Sequence, residues 1–430
     1  MIWDKTKECM GREEMLALQG ERLAGTVRLV YHNVPFYRRK MQNMGIGPDD
    51  IRGVEDLCKL PFTTKEDIRS NYPFGLLAVP QSEIARIHVS RGILGKAMPI
   101  GYTKQDLAVW SECMARALTM AGVGEKDILQ VVHDTFAEEL GIQGGAEKVG
   151  AAVLPISIRN ANKLAGMLVD FGVTAIACTP SYLLYLAETL ESGGGTDMVR
   201  LRTAVCGAEL WTERMRKQIE DKLHIRVHDI YGLPEILEPG MACDCECHAG
   251  LHVYEDHFLP EIIDPETLRP LADGETGELV FTTITKEGFP LLRYRTRDLT
   301  SLTREVCECG RTLPRIGRFQ GRSDDMLIIR GINVFPSQVE AALSEVIGTL
   351  PHYRMIVERT ENLDTLEVQV EAGEKFFSDE IKETEKLSYK ISDAIEQTIG
   401  LAVKVKLVEP KSIERSMGKA VRVVDRRNLF

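Results

Sequence analysis

Four stretches of this 430-residue chain combine residue types that can do chemistry. Val89 to Thr103, VSRGILGKAMPIGYT, sets Ser90, Gly92, Gly95 and Lys96 in a tight loop after a β-rich run, which can aim backbone N–H groups at phosphate. It lacks the glycine spacing and the final hydroxyl of a Walker loop, and it equally suits a plain surface turn. Tyr231 to Glu235, YGLPE, ends a strand pattern on a carboxylate, the position from which an α/β protein offers an acid to Mg²⁺ beside phosphates. A solvated loop acid has the same signature. Tyr294 to Asp298, YRTRD, supplies a carboxylate able to accept from both ribose hydroxyls, with arginines alongside for phosphate; an ordinary surface network of Arg and Asp reads the same way. Arg415 to Arg422, RSMGKAVR, carries Lys419 beside Gly418 on a turn-rich tail. Such a lysine reaches an anionic transition state only if something delivers it; otherwise it is merely solvated.

A fifth group is built from cysteine. Five of the ten cysteines crowd between Cys243 and Cys309, too few in so long a chain for a disulfide scaffold and well spaced for metal. Cys243, Cys245, Cys247, His248 and His252 precede the EDHF segment, and Cys307 with Cys309 forms a second clip. Two short clips and a histidine suit tetrahedral Zn²⁺, with reduced surface thiols as the bland reading.

The elements that must position these residues change character along the chain. Residues 1–75 read as helical, with Thr63 or Thr64 capping a helix that opens at Lys65. From about 85 to 320, β-rich runs such as ILQVVH, TAIACTP and HIRVHDIYG alternate with helical patterns, which predicts a mainly parallel sheet covered by helices. Beyond Pro336 the pattern shortens, and Leu387, Ile391, Ile395 and Ile399 recur at helical spacing ahead of Gly400. The prediction is α/β: a large N-terminal domain over 1–324, with a helical start and a metal-binding insert within 243–309, and a small α+β domain over 325–430. The formal net charge of -11 and pI near 5.5 argue against nucleic acid or an anionic membrane as partners. With acids where a signal peptide needs an apolar run, the protein is expected to be cytoplasmic.

In order, LPFTTKEDIR, CTPSYLL, Gly207–Glu209 (GAE), YGLPE, EDHFLPEIIDPET, GELVFT, PLLRYRTRDLT, GRSDDMLIIRGINVFPSQVE and the Lys419 tail resemble the phenylacetate–coenzyme A ligase family of the adenylate-forming (acyl-CoA synthetase) superfamily. The resemblance implies that Gly207, Ala208, Glu209 and Asp229, with Tyr231 and Gly232, frame the adenine, and that Asp298 holds the ribose. Glu235 would bind Mg²⁺, Arg322 would sit near ribose and phosphate, Asp324 would be a hinge, and Lys419 would bridge carboxylate and α-phosphate. It implies an ATP-dependent ligase joining a small aryl or other carboxylic acid to coenzyme A, and a possible homodimer. It further implies that Cys245, His252, Cys307 and Cys309 ligate a structural Zn²⁺, with Cys243, Cys247 and His248 as spare candidates. Ile93 and Leu94 replace threonines of the family's phosphate loop, Pro234 replaces a hydroxyl residue, and His133 to Gly145 is shorter and acidic where the family builds its aryl pocket. These departures motivate two alternatives: a nucleotide- or coenzyme A-binding homologue without adenylation, and an adenylating enzyme with a different acceptor.

Overall fold

A computed structural model describes residues 1–90, 98–132, 136–156, 161–193, 195, 198–209, 211–323, 327–329, 332–348, 351–360, 363–371, 381–414 and 422–427. The chain divides into two compact units, one of Met1–Cys178, Gly194–Ala208 and Ile225–Phe319, the other of Thr179–Gly193, Glu209–His224 and Gln320–Phe430.

The first unit opens with helices α1 (Lys5–Glu8), α2 (Arg12–Asn33), α3 (Pro35–Asn43) and α4 (Lys65–Ser70). Thr64 is the residue that caps α4, accepting from the Asp67 N–H while the Asp67 carboxylate accepts back from Thr64. Thr63 is buried instead and donates to the Leu292 carbonyl at 2.6 Å. A hairpin, β1 (Arg86–Ser90) and β2 (Met98–Tyr102), leads into α5 (Lys104–Met120). Then β3 (Ile128–Val131), α6 (Phe136–Val149), β4 (Ala152–Pro155), α7 (Ala161–Asp170), β5 (Ala175–Cys178), β6 (Thr203–Gly207) and β7 (Arg226–Leu233) provide the strands predicted as parallel. They pair in the order β4-β3-β5-β6-β7, all parallel.

Beyond β7 the same sheet turns antiparallel through β8 (Leu237–Asp244), β9 (Leu251–Val253) and, at its far edge, β14 (Arg315–Ile316) and β13 (Leu302–Thr303). The sheet is therefore mixed, because a short turn after Leu233 reverses the chain where a helical crossover would have kept it parallel. Strands β10 (Phe258–Ile263), β11 (Gly277–Thr283) and β12 (Tyr294–Thr300) pair antiparallel beside it.

A buried ionic cluster of the first unit lies in the EDHF segment. Arg116 of α5 grips Asp256 with two hydrogen bonds of 2.8 and 3.2 Å, both side chains almost fully buried. A bidentate pair of this kind fixes direction as well as distance, so α5 is locked to the chain just before β10.

The second unit contains α8 (Pro180–Ser192), α9 (Glu213–Leu223), β15 (Gly321–Arg322), the hairpin β16 (Leu327–Ile329) and β17 (Ile332–Val334), and α10 (Pro336–Ile347). It ends in β18 (Tyr353–Thr360), β19 (Leu363–Glu371), α11 (Ile381–Ile399), β20 (Lys404–Val408) and β21 (Val423–Asp425), with sheet order β20-β19-β18-β21. Gly400, at φ +71°, ends α11 as its spacing predicts, and Ile391, Ile395 and Ile399 are buried. Among the described residues no helix is long and apolar enough to cross a membrane.

Helices α5 and α6 approach closely because glycine faces the contact. A Cβ on Gly145 would lie 2.3 Å from the Met114 Cβ and 2.7 Å from its backbone carbon. Gly145→Ala is therefore expected to lower stability by about 1–3 kcal/mol, read as a lower urea midpoint at unchanged slope, since neither backbone can yield without separating the helices.

Candidate functional site

The crevice of interest lies at the carboxyl end of β7, where the sheet changes from parallel to antiparallel, a position at which open α/β sheets hold ligands. Gly207 ends β6 against β7 so tightly that a Cβ would stand 2.4 Å from the Ile230 carbonyl. Ala208 follows with φ +67°, turning the chain out of the sheet. Beneath this turn is a small cavity walled by Met114, Leu118, Ile142, Ala177, Val205 and Ile230, with Gly207, Ala208, Gly232, Glu238 and Pro239 at its lining.

Tyr231, on β7, donates its hydroxyl to Asp298 Oδ2 at 2.6 Å, and its ring stacks on Phe319 at 4.6 Å. Asp298, on β12, is 6 % exposed. This hydrogen bond is one that sequence spacing cannot reveal, because its two ends are 67 residues apart on different sheets. Asp229, two residues before Tyr231, donates its backbone N–H to Asp244 Oδ1 at 2.8 Å. The arginines of YRTRD meet a carboxylate: Arg295 grips Glu278 at 2.7 and 2.9 Å, and Arg297 lies 3.5 Å from the same group.

Glu235, in the turn between β7 and β8, is 3 % exposed, with Lys65 Nζ 3.5 Å from its carboxylate. Glu209 and Arg322 belong to the second unit, where Glu209 Oε2 accepts from the Ser181 N–H at the start of α8 and Arg322 lies on β15. Gly92, Gly95, Lys96, Asp324 and Lys419 fall outside the described residues, as does the side chain of Ser90, the last residue of β1.

One residue in this region escapes a reading by motif. Lys286, in the ITKEGFP turn after β11, is buried beneath Glu235. Its Nζ donates to the Ile236 carbonyl, lies 3.5 Å from the Glu235 carbonyl, and sits 4.1 Å from the Tyr102 ring centroid. Its turn is pinned in place by Asp106, whose carboxylate completes the Thr103 capping box of α5 and also accepts the N–H groups of Glu287 at 2.7 Å and Gly288 at 2.9 Å. Burial pushes the Lys286 amine down to about 7, opposed by the Asp106 and Glu235 carboxylates. The only sequence signal was a lysine beside a turn glycine, which is common on any surface.

The metal-type residues converge by strand pairing. Cys245 follows the end of β8, His252 lies on β9, and Cys307 and Cys309 lie in the turn between β13 and β14, where β14 pairs with β9. One donor atom from each lies within 4.8 Å of the other three. Cys245 and Cys307 sulfurs are 3.7 Å apart, and Cys309 Sγ is 3.6 Å from His252 Nε2. A tetrahedron with metal–sulfur bonds of about 2.3 Å and metal–nitrogen bonds of about 2.05 Å has edges of roughly 3.8 and 3.6 Å. The four donors thus fit a tetrahedral cation and leave it no open position. Of the spare candidates, Cys243 turns into the core toward the Ala117 carbonyl, Cys247 is half-buried with its N–H on Cys245 Sγ, and His248 bonds to Asp244.

The sequence and the fold are similar to those of known proteins. A model described as AMP-binding enzyme matches residues 157–285, and one described as AMP-binding enzyme C-terminal domain matches 331–427. The phenylacetate-coenzyme A ligase of Thermus thermophilus is 46% identical over 444 aligned residues, covering 99% of this chain and 100% of that protein. The phenylacetate-coenzyme A ligase of Escherichia coli K12 is 46% identical, covering 97% and 96%. The crystal structure of 2-hydroxyisobutyryl-CoA ligase in the postadenylation state, in complex with R3-HIB-AMP, superposes with a TM-score of 0.91 at 27% identity, covering 100% of this chain and 93% of the other.

The depressed Lys286 amine has a testable sign. Between its folded value of about 7 and the unfolded value of 10.5 the unfolded chain binds more protons, so Lys286 makes stability rise with pH across that window. The stability of the native chain relative to Lys286→Met is expected to increase from pH 7 to pH 10, measured by urea unfolding at each pH. A difference that stays flat would show that the amine titrates normally.

Proposed function

The chain belongs to the phenylacetate–coenzyme A ligase family of adenylate-forming enzymes, and from that premise we propose that it activates a small carboxylic acid with ATP and passes the acyl group to coenzyme A. The carboxylate oxygen attacks the α-phosphorus of ATP, pyrophosphate leaves, and an acyl-adenylate forms. The coenzyme A thiol then gives up its proton and attacks the acyl carbon, and AMP departs as the thioester forms. Neither step demands a catalytic histidine; both need positioning and charge stabilisation.

The observation that carries this reading is the buried Asp298 carboxylate held by Tyr231 beside the crevice. A buried, oriented carboxylate of this kind is the acceptor type that a pair of ribose hydroxyls requires. Gly207 and Ala208 would let the adenine approach the backbone, with Glu209 and Asp229 at its polar edge. Glu235 would carry Mg²⁺ against the phosphates, its backbone steadied by Lys286. The apolar cavity beneath Gly207 suits the body of an aryl or other small hydrocarbon acid. Arg322 would contact ribose and phosphate, and the module from residue 325 onward would swing about Asp324. That motion would bring Lys419 in for adenylation and withdraw it for thioester formation. The protein would act in the cytoplasm, with the acid and coenzyme A as its partners. In the thiolate site, Cys245, His252, Cys307 and Cys309 would hold Zn²⁺ in a structural role, tying the β13–β14 turn to the antiparallel half of the sheet.

Pyrophosphate exchange over a panel of carboxylic acids, phenylacetate included, tests the first step without coenzyme A. Exchange with at least one acid is expected, and Lys419→Ala should cut it by about 10²–10³-fold, as for loss of a charge-stabilising donor. Nucleotide binding without exchange for any acid would favour the homologue that lost adenylation, the reading that Ile93, Leu94 and Pro234 support. Asp298→Asn is expected to raise the ATP KM by about ten- to a hundredfold, the cost of one or two hydrogen bonds to a charged acceptor. For the thiolate site, metal analysis should find zinc in the purified chain and a loss of it in Cys307→Ser; unchanged zinc content would refute the ligand set.

A further inference from the structure

His248, a spare residue of the cysteine-rich segment, belongs to a separate cluster. His228 lies on β7, Asp244 is the last residue of β8, and His248 sits in the turn beyond it at φ +49°. Asp244 is central: its Oδ1 is 3.3 Å from His228 Nδ1 and its Oδ2 is 2.8 Å from His248 Nδ1. The two rings stand 5.4 Å apart, and one donor atom from each of the three residues lies within 4.8 Å of the others. His228 is 4 % and Asp244 1 % exposed.

One hydrogen bond, between His248 Nδ1 and Asp244 Oδ2, accounts for part of this cluster but not for all of its imidazole nitrogens. Asp244 Oδ1 already accepts the Asp229 N–H. His228 Nδ1 is buried near that oxygen, yet among the described residues it has no hydrogen-bond partner, and neither has the buried Nε2 of His248. For His228 Nδ1, which faces the carboxylate, this state carries a desolvation cost that a bound cation would remove.

We propose that His228, Asp244 and His248 form a second metal site, distinct from the thiolate site, for a first-row divalent cation. Two imidazoles and a carboxylate are borderline and hard donors that suit Zn²⁺, Fe²⁺, Co²⁺ or Mn²⁺, whereas Mg²⁺ and Ca²⁺ favour oxygen alone. Metal bonds of about 2.0–2.2 Å give donor–donor edges of roughly 3.0–3.5 Å. The 3.3 Å separation at His228 falls in that range and the 2.8 Å at His248 just below it, on the two oxygens of one carboxylate, and with the three donors within 4.8 Å the imidazoles would close in on a bound ion. Three protein ligands leave positions open to water, unlike the closed thiolate site. The cation would tie β7 to the end of β8 one residue before Asp229. The inference does not rest on the ligase reading, and it shares no ligand with the zinc reading.

The test strips the full-length chain with chelator and titrates it with Co²⁺, following bound metal by elemental analysis and site type by absorption. About two equivalents are expected per chain, one with the sulfur-to-metal charge-transfer band of a thiolate site and one without it. His228→Ala and His248→Gln should each reduce this to about one equivalent with the charge-transfer band intact. The Cys307→Ser/Cys309→Ser double variant should lose the band and keep about one equivalent. His248 is only half-buried, so its variant guards against a folding defect, which circular dichroism would report. Two equivalents retained in a folded His248→Gln chain would overturn the second site, as would no metal in the cysteine variant. A single equivalent lost with His228 but insensitive to Cys307 and Cys309 would support this site and refute the zinc reading alone.

Discussion

Strand β7 is hydrogen-bonded parallel to β6 on one side and antiparallel to β8 on the other, and the chemistry of the first unit hangs on that reversal. A parallel neighbour leaves an open crevice at the strand's carboxyl end. An antiparallel neighbour is reached by a tight turn, and here that turn carries Glu235. Tyr231 therefore points across to Asp298 on β12, while the residues after it bend back over Lys286.

That turn is held by charge in a low-dielectric setting. Lys286 has its Nζ against main-chain carbonyls and an aromatic face, with two carboxylates close enough to oppose the effect of burial on its amine. Asp106 fixes the lysine's own turn by spending one carboxylate on both a helix cap and two N–H groups of that turn. Helix α5 thus links three features: its Asp106 holds the Lys286 turn, it grips Asp256 through Arg116, and it walls the apolar cavity with Met114 and Leu118. A displacement of this helix would be felt in the cavity and beneath Glu235 together.

The antiparallel half of the sheet does different work. Its strands are short, and pairing β9 with β14 brings residues more than fifty positions apart in sequence to one edge. The two-residue strands β13 and β14 bury little surface and gain from a cross-link, and the four thiolate-site donors gather at that edge. The soft thiolate donors and the imidazole–carboxylate donors separate into two groups because β8 alternates its side chains. Cys243 faces the core against α5, and Asp244 faces the β7 histidine.

By itself the sequence determined the fold class, the chain order of its motifs, the helical start, and most strands of the parallel half, since local periodicity and capping residues act over a few positions. It also identified Asp298, Glu235 and the clips at Cys245 and Cys307 as chemically loaded. Only the tertiary structure decided which partners they meet. Tyr231 with Asp298, Lys286 beneath Glu235, and His228 with Asp244 and His248 are contacts between segments whose separation no period encodes. The reversal after β7 was likewise illegible, because apolar runs look alike in parallel and antiparallel strands, and direction is set by whether the chain returns through a turn or a helix. The parting of His248 from the cysteine site has the same origin: five candidates share the window from Cys243 to His252, and only the turn beyond β8 and the pairing of β9 with β14 decide which donors meet.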